Sequence, residues 1–211
     1  MPAQGAKRVF TGIIEVQGVV RSVTPTAAGV RLEIHAPNWS YAGSVGDSVA
    51  CDGCCLTIAA PPRDGVMVFD AIPETLAKTT LAAWKPGRSV HLEHAATAST
   101  LLGGHMVQGH IDGVGTVVSN GPTPGGGWEL TIEPPVELMP YFAPKGSVAI
   151  DGVSLTLAAV TAKTFTIALI PTTLAKTHLS PLKPADTVNL EADVIAKTVV
   201  NYVRYFAGLG K

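Results

Sequence analysis

The chain has 211 residues, 46% of them hydrophobic and 15% charged, with a formal net charge of -1. That balance supplies apolar material for packed cores and excludes the strong positive field expected of a nucleic-acid binder. No run of about 18 apolar residues suggests a transmembrane helix. The opening MPAQGAKRV lacks the apolar stretch of a secretory signal. Cys51, Cys54 and Cys55, odd in number and crowded together, do not suit a disulfide framework, so a reducing cytoplasm is the expected setting.

Short segments rich in Val, Ile and Thr, bounded by Gly, Pro, Asn or Asp, run along most of the chain. They predict strands at 11–23, 29–35, 47–51, 55–60, 66–71 and 89–95, then at 113–119, 127–133, 147–150, 154–160, 164–170 and 187–192, as in small antiparallel barrels or sandwiches. Asp-Gly at 52–53 and at 151–152 predicts two tight turns. Proline at 73 and at 171 suits the first turn of a short helix, and a further helical piece is expected over 134–142. PPRDG at 61–65 and NGPTPGGG at 120–127 read as hairpin connections, and Gly103–Gly104 mark a junction near 97–106. The tail from Val194 to Phe206 carries Ile195, Val199, Tyr202, Val203 and Phe206 at helical spacing, with Asp193 placed as its N-cap. Such a stripe either folds back on its own barrel or pairs with the same helix of other subunits, and the low surface charge favours assembly.

The two runs of strands are copies of one unit. SVACDGCCLT at 48–57 returns as SVAIDGVSLT at 147–156, IPETLAKTTL at 72–81 as IPTTLAKTHL at 170–179, and VHLE at 90–93 as VNLE at 188–191. A repeat of this length means two similar domains. Columns where the copies diverge carry the functional interest. Cys55 matches Ser154, Glu74 matches Thr172, Ala95 matches Asp193 and Ile13 matches His110, while Thr57 and Thr156 agree. Each has a plain structural alternative: a small core cysteine, a strand-end hydroxyl, a helix cap, a satisfied interior histidine. CDGCC with His105 and His110 also has the makings of a zinc set. The second copy places Ile150, Val153 and Ser154 at the cysteine positions, so no metal is expected here.

FTGIIE at 10–15, DGCCLT at 52–57, GGHMVQGHIDG at 103–113, KGSVAIDGVSLT at 145–156, LIPTTL at 169–174 and VNLEAD at 188–193 together resemble the riboflavin synthase family of the alpha-chain type, built from lumazine-binding repeats. The resemblance covers residues 10–206, with the motifs in family order. It implies an all-β fold of two tandem six-stranded antiparallel Greek-key barrels, at 1–104 and 105–193, plus a C-terminal α-helix at 194–211. It implies a homotrimer held by those helices, with the site between the first barrel of one subunit and the second of its neighbour. The activity implied is dismutation of two molecules of 6,7-dimethyl-8-ribityllumazine to riboflavin and 5-amino-6-(D-ribitylamino)uracil, with no cofactor. Lumazine synthase is a further candidate partner.

Carried over by motif, the first pocket is expected to use Gly12, Ile13, Ile14, Ser48, Cys55, Leu56, Thr57, Asp70, Ala71, Ile72, Pro73, Glu74 and Thr75. The second is expected to use Gly109, His110, Ile111, Lys145, Ser154, Leu155, Thr156, Ala168, Leu169, Ile170, Pro171, Thr172 and Thr173, with Asp193 nearby. Phe10 is expected to cover one bound ring. His110 is assigned to proton transfer, Ser154 and Asp193 to a coupled pair at the second ring, and Cys55 to the first ring as nucleophile or polar contact. Thr172 stands where the family often has His or Glu, Thr198 replaces a frequent aromatic, and eight residues precede Val9, where they could crowd the site. The rival reading is a non-catalytic lumazine- or flavin-binding fluorescent protein. The presence of all four polar residues favours the enzyme.

Overall fold

The computed structural model describes residues 9–206 and 208, so the extension over residues 1–8 lies outside the described residues. The first half contains β1 (Val16–Thr26), β2 (Gly29–His35), β3 (Ser48–Cys51), β4 (Cys54–Arg63), β5 (Val66–Ala71), helix α1 (Pro73–Lys78), a 3₁₀ turn (Thr80–Ala83) and β6 (Ser89–His94). The second contains β7 (Gly113–Pro122), β8 (Trp128–Glu133), a 3₁₀ turn (Val136–Tyr141), β9 (Ser147–Ile150), β10 (Val153–Val160), β11 (Phe165–Ala168), α2 (Pro171–Lys176) and β12 (Thr187–Ala192). Helix α3 (Val194–Phe206) closes the chain.

Each half is a closed antiparallel barrel. The order around the first is β1-β2-β5-β4-β3-β6, and the second repeats that circle strand for strand. Strands β3, β4 and β5 form a meander, and β2 returns by a longer connection to lie beside β5, which is the Greek-key step. Closure leaves no sheet edge to be covered. Inward residues alternate with outward ones, so Leu32, Ile34, Leu56, Ile58 and Phe69 fill the first barrel, and Leu130, Ile132, Leu155, Leu157 and Phe165 fill the second. The Asp-Gly turns form as expected, with Asp52 at φ +43° and Gly53 at +78°, and Asp151 at +44° and Gly152 at +80°. That is the mirror-image turn suited to strand twist.

One expectation changes, and one of the two alternatives for the tail helix drops out. The first strand does not begin at 11. Residues 11–14 lie outside the strand ladder, the Glu15 N–H still bonds the Leu92 carbonyl of β6 at 3.1 Å, and β1 starts at Val16. The tail helix does not lay its stripe on its own barrel. Lys197 binds Asp112 at 2.8 Å and the Arg204 guanidinium lies over Tyr141, so a polar flank is tied down. Ile195, Val199, Tyr202 and Phe206 all stay more than half exposed. Asp193 does cap the helix, its Oδ1 accepting the Ile195 N–H at 2.9 Å. Among the described residues no helix is long and apolar enough to cross a membrane.

Candidate active site

The segment entering each barrel crosses to the other one. Phe10 and Val107 form an antiparallel bridge between the barrels, with N–H···O distances of 2.7 and 3.0 Å. Small residues, Ala50 and Ala149, flank it and let the two backbones pass, and Phe10 is 0% exposed. Beyond the bridge the chain turns at Gly12 (φ +75°) and at Gly109 (φ +76°). The Gly12 carbonyl accepts the Ser154 N–H at 2.8 Å, and the Gly109 carbonyl accepts the Cys55 N–H at 2.9 Å. A Cβ on Gly12 would sit 2.6 Å from the Ser154 Cβ, and one on Gly109 would sit 2.5 Å from the Cys55 Cβ. Only glycine permits both the left-handed turn and this approach.

Two buried glutamates hold these turns. Glu93 accepts N–H groups from Thr11 (2.6 Å) and Gly12 (2.9 Å) and the Thr11 hydroxyl (2.7 Å). Glu191 accepts N–H groups from Gln108 (2.7 Å), Gly109 (2.9 Å) and His110 (3.0 Å). Burial pushes both carboxyl groups up, Glu191 to about 7, while the N–H donors oppose that shift.

The exchange builds two outer-face pockets. One, about 260 Å³, has Cys55, Ile72, Glu74, Thr75 and Lys78 from the first barrel, with Gly109, His110 and Ile111 from the second copy. The other, about 200 Å³, has Ser154, Ile170, Thr172, Thr173, Lys176 and Thr177 from the second barrel, with Gly12, Ile13 and Ile14 from the first copy. Ile14 packs on the second core and Ile111 on the first. The motif assignment of Gly12–Ile14 and Gly109–Ile111 is therefore corrected. Each triplet serves the opposite barrel, and His110 belongs with Cys55 rather than Ser154.

Other expected residues divide by strand alternation. Leu56, Leu155 and Leu169 turn into the barrel cores and cannot line a pocket. Ser48 is buried opposite Thr57 on the neighbouring strand, and Thr57 and Thr156 are exposed two positions along from Cys55 and Ser154. Asp70 is engaged by Arg31 at 2.8 Å, and with Ala71 it lines an adjoining groove that meets the first pocket at Ile72. Ala168 lies at the end of β11, Pro73 and Pro171 begin the pocket helices, and Lys145 sits in a loop at φ +68° outside both linings. Phe10 does not cover a ligand surface in this chain, because the bridge to Val107 buries its ring between the barrels.

Ser154 has an unexpected partner. Its Oγ lies 2.7 Å from Nδ1 of His105, while His105 Nε2 is buried with no partner among the described residues. Burial lowers the His105 pKa, against the pull of the Asp193 charge, so the ring is neutral near pH 7. A neutral imidazole on a hydroxyl is the arrangement that activates oxygen for addition. The partner of the Ser154 hydroxyl is thus His105 rather than the expected Asp193, whose carboxylate accepts the Ile195 N–H. None of the three cysteines forms a disulfide. Burial pushes the Cys51 thiol up and the Cys54 thiol to about 12, which opposes thiolate formation. Of the two histidines in the zinc set, His105 lies on Ser154 and His110 lines the pocket of Cys54 and Cys55.

A lumazine binding domain family matches the chain twice, over residues 11–95 and 108–193. The riboflavin synthase of Mycobacterium bovis is 39% identical over 200 residues, covering 93% of this chain and 98% of that protein. The chain belongs to the riboflavin synthase family. The riboflavin synthase of Brucella abortus is 37% identical over 93% of this chain and 99% of its own length. Among solved structures, LumP complexed with riboflavin matches at a TM-score of 0.78 with 25% identity, over 87% of this chain and 98% of that one. LumP complexed with 6,7-dimethyl-8-(1'-D-ribityl)lumazine matches at 0.76 with 24% identity over the same shares, a likeness of fold.

Within this riboflavin synthase fold, the sequence reading named His105 only as a possible zinc ligand, not as a partner of Ser154, and assigned no role to Glu93, Glu191, Lys78 and Lys176. Four of them stand in columns identical between the copies, LAKT and VxLE, and that identity was the available signal.

Proposed function

We propose that this chain is a transferase that moves a four-carbon unit between two molecules of 6,7-dimethyl-8-ribityllumazine, yielding riboflavin and 5-amino-6-(D-ribitylamino)uracil. The observation that carries the reading is the pair of related pockets, each completed by the other copy's entry segment and each with a different reactive side chain, Cys55 or Ser154. Identical substrates must take opposite roles in this reaction. Pockets of common ancestry give each ring a similar cradle, and their differing side chains assign the roles. In the second pocket His105 takes the Ser154 proton as the oxygen adds to the ring. In the first, His110 moves the proton of the acidic methyl group beside Cys55.

The chain acts as a homotrimer in the cytoplasm. Support comes from the exposed stripe of Ile195, Val199, Tyr202 and Phe206 on α3. It also comes from pockets that are open and smaller than the roughly 300–1,000 Å³ usual for a ligand site, so a neighbouring chain has room to close them. Holding two rings face to face across that boundary converts an encounter into a fixed pair, the main entropic gain available.

Mixing the protein with dimethylribityllumazine and following riboflavin absorbance tests the reading. Steady production of riboflavin is expected. Tight binding of the lumazine without product would make the chain a non-catalytic lumazine binder and overturn the proposal.

A further inference from the structure

The barrels meet at their Asp-Gly turns, where a Cβ on Gly53 would come within 2.7 Å of the Gly152 nitrogen. Asp52 and Asp151 are both 0% exposed. Asp52 accepts the His91 N–H and Asp151 accepts the Asn189 N–H, each at 2.7 Å. His91 and Asn189 occupy the same column of the repeat, and they perform the same cross-barrel task with different chemistry. Asn189 donates its amide to the Asp52 carbonyl at 2.9 Å and accepts the Thr80 N–H at 2.7 Å. His91 places Nδ1 on the Asp151 carbonyl at 2.9 Å and accepts the His178 N–H at Nε2, at 2.8 Å.

These bonds dictate the tautomer of His91. Nδ1 faces an acceptor and must carry the proton, and Nε2 faces a donor and must not. The ring is neutral, and neither nitrogen has a lone pair to spare. Asp52, His91 and His178 bring potential ligand atoms within 4.8 Å of one another. Yet the engaged nitrogens and the parallel stacking of the two rings (3.6 Å, 6°) leave them unable to converge on one ion.

His178 is the second departure from symmetry, standing in the column of Thr80. Its Nε2 lies 3.4 Å from Asp151 Oδ2 and 3.6 Å from Asp52 Oδ1, between one carboxylate from each barrel. Arg88 reaches Asp52 Oδ2 at 3.1 Å. The charged or titratable groups around His178 are therefore Asp52, Asp151, Arg88 and His91. Thr177 and Lys176, immediately before it, line the Ser154 pocket, and Thr79, before Thr80, lines the Cys55 pocket.

We propose that the stacked His91–His178 pair is a one-proton lock that positions the two pockets relative to each other. The joint is tight when His178 carries a proton and His91 does not. It loosens when the pair gains a second proton or loses its only one. Burial and the His178 charge hold His91 down to about 4. For His178 burial acts downward, but Asp52 and Asp151 outweigh it and hold the ring above its ordinary value. Burial and the facing Asp151 push Asp52 up, and an imidazolium relieves that repulsion. The raised His178 supplies stability that is complete below the unfolded value of about 6.5 and is lost as pH rises through its folded pKa. The lowered His91 acts oppositely: its contribution is complete above about 6.5 and is lost as pH falls towards its folded value. The lock is strongest near the ordinary imidazole pKa and weakens on both sides.

The repeat supplies its own control, since His91→Asn with His178→Thr recreates the Asn189–Thr80 pairing. The experiment follows both imidazoles of the full chain by nitrogen NMR and compares thermal unfolding of wild type and the double variant across pH. We expect the His91 ring to stay in the Nδ1–H form down to about 4, and the His178 ring to remain charged into the neutral range. The wild-type melting temperature, relative to the double variant, should peak near neutrality. Two rings titrating together at the ordinary imidazole value, or melting profiles that run parallel, would overturn the lock. Should the double variant not fold, the wild-type NMR titration decides alone.

Discussion

The Cys55 pocket and the Ser154 pocket share one construction: a barrel strand, a proline-led helix, and a glycine turn borrowed from the other copy. They differ in what stands at the reactive column. Cys55 lies beside His110, whose side chain is exposed, and Glu74, which pairs with Lys78 at 3.2 Å near solvent. Ser154 has its hydroxyl already bonded to a neutral imidazole and has the uncharged Thr172 in place of Glu74. The same frame therefore offers a thiol on one side and a hydroxyl bonded to a neutral imidazole on the other. Duplication kept the cradle and changed its side chains, and under the proposed function that asymmetry gives two identical substrates their opposite roles.

The sharpest way to break this comparison is to remove the two reactive atoms in turn. Ser154→Ala is expected to lower turnover by about 100-fold or more, within the usual range for a positioned acid–base partner. Cys55→Ala should lower it by about tenfold or less, short of that range. Single-turnover riboflavin formation checks both. Equal losses would mean that the hydroxyl is no better prepared than the thiol.

What the pockets share can be attacked at one point. The Phe10 ring is fully buried between the barrels and belongs to the crossing that feeds both sites. Phe10→Ala should cost about 3–5 kcal/mol through the cavity it leaves, read by denaturant unfolding. At partial occupancy of the native state, a titration with dimethylribityllumazine should show both sites weakened together. Loss of one site with the other intact would show that the crossing is not a shared support.

The twelve strands, both Asp-Gly turns and the tail helix were legible in the sequence, because alternation, turn chemistry and helical spacing are local properties. The exchange of residues 10–14 and 107–111 was not. It is made of backbone bonds, such as Ser154 N–H to the Gly12 carbonyl, and no side-chain pattern says which barrel a glycine turn will visit. Aligning the copies put Ile13 and His110 in one column, but the receiving barrel is a tertiary choice. Glu93 and Glu191 escaped for another reason. Looking for function where copies differ passes over a carboxylate that both copies need. His105 lies in the junction, outside the paired motifs, and only the fold brings it to Ser154.

The finest test concerns Asp193, which ties the tail helix to the Ser154 pocket. Its carboxylate caps α3 at Ile195, and its charge raises the His105 pKa against burial. Asn caps a helix about as well as Asp, so Asp193→Asn should keep the helix and remove the charge. Without that charge burial acts unopposed, and His105 should stay neutral to lower pH. The acid limb of the rate profile, already below the ordinary imidazole value of about 6.5, should move down by a fraction of a pH unit, with turnover at neutral pH little changed. A limb that moves up, or a large loss of rate at neutral pH, would make Asp193 a direct participant at the ring and erase the distinction between the residue that touches Ser154 and the residue that tunes it.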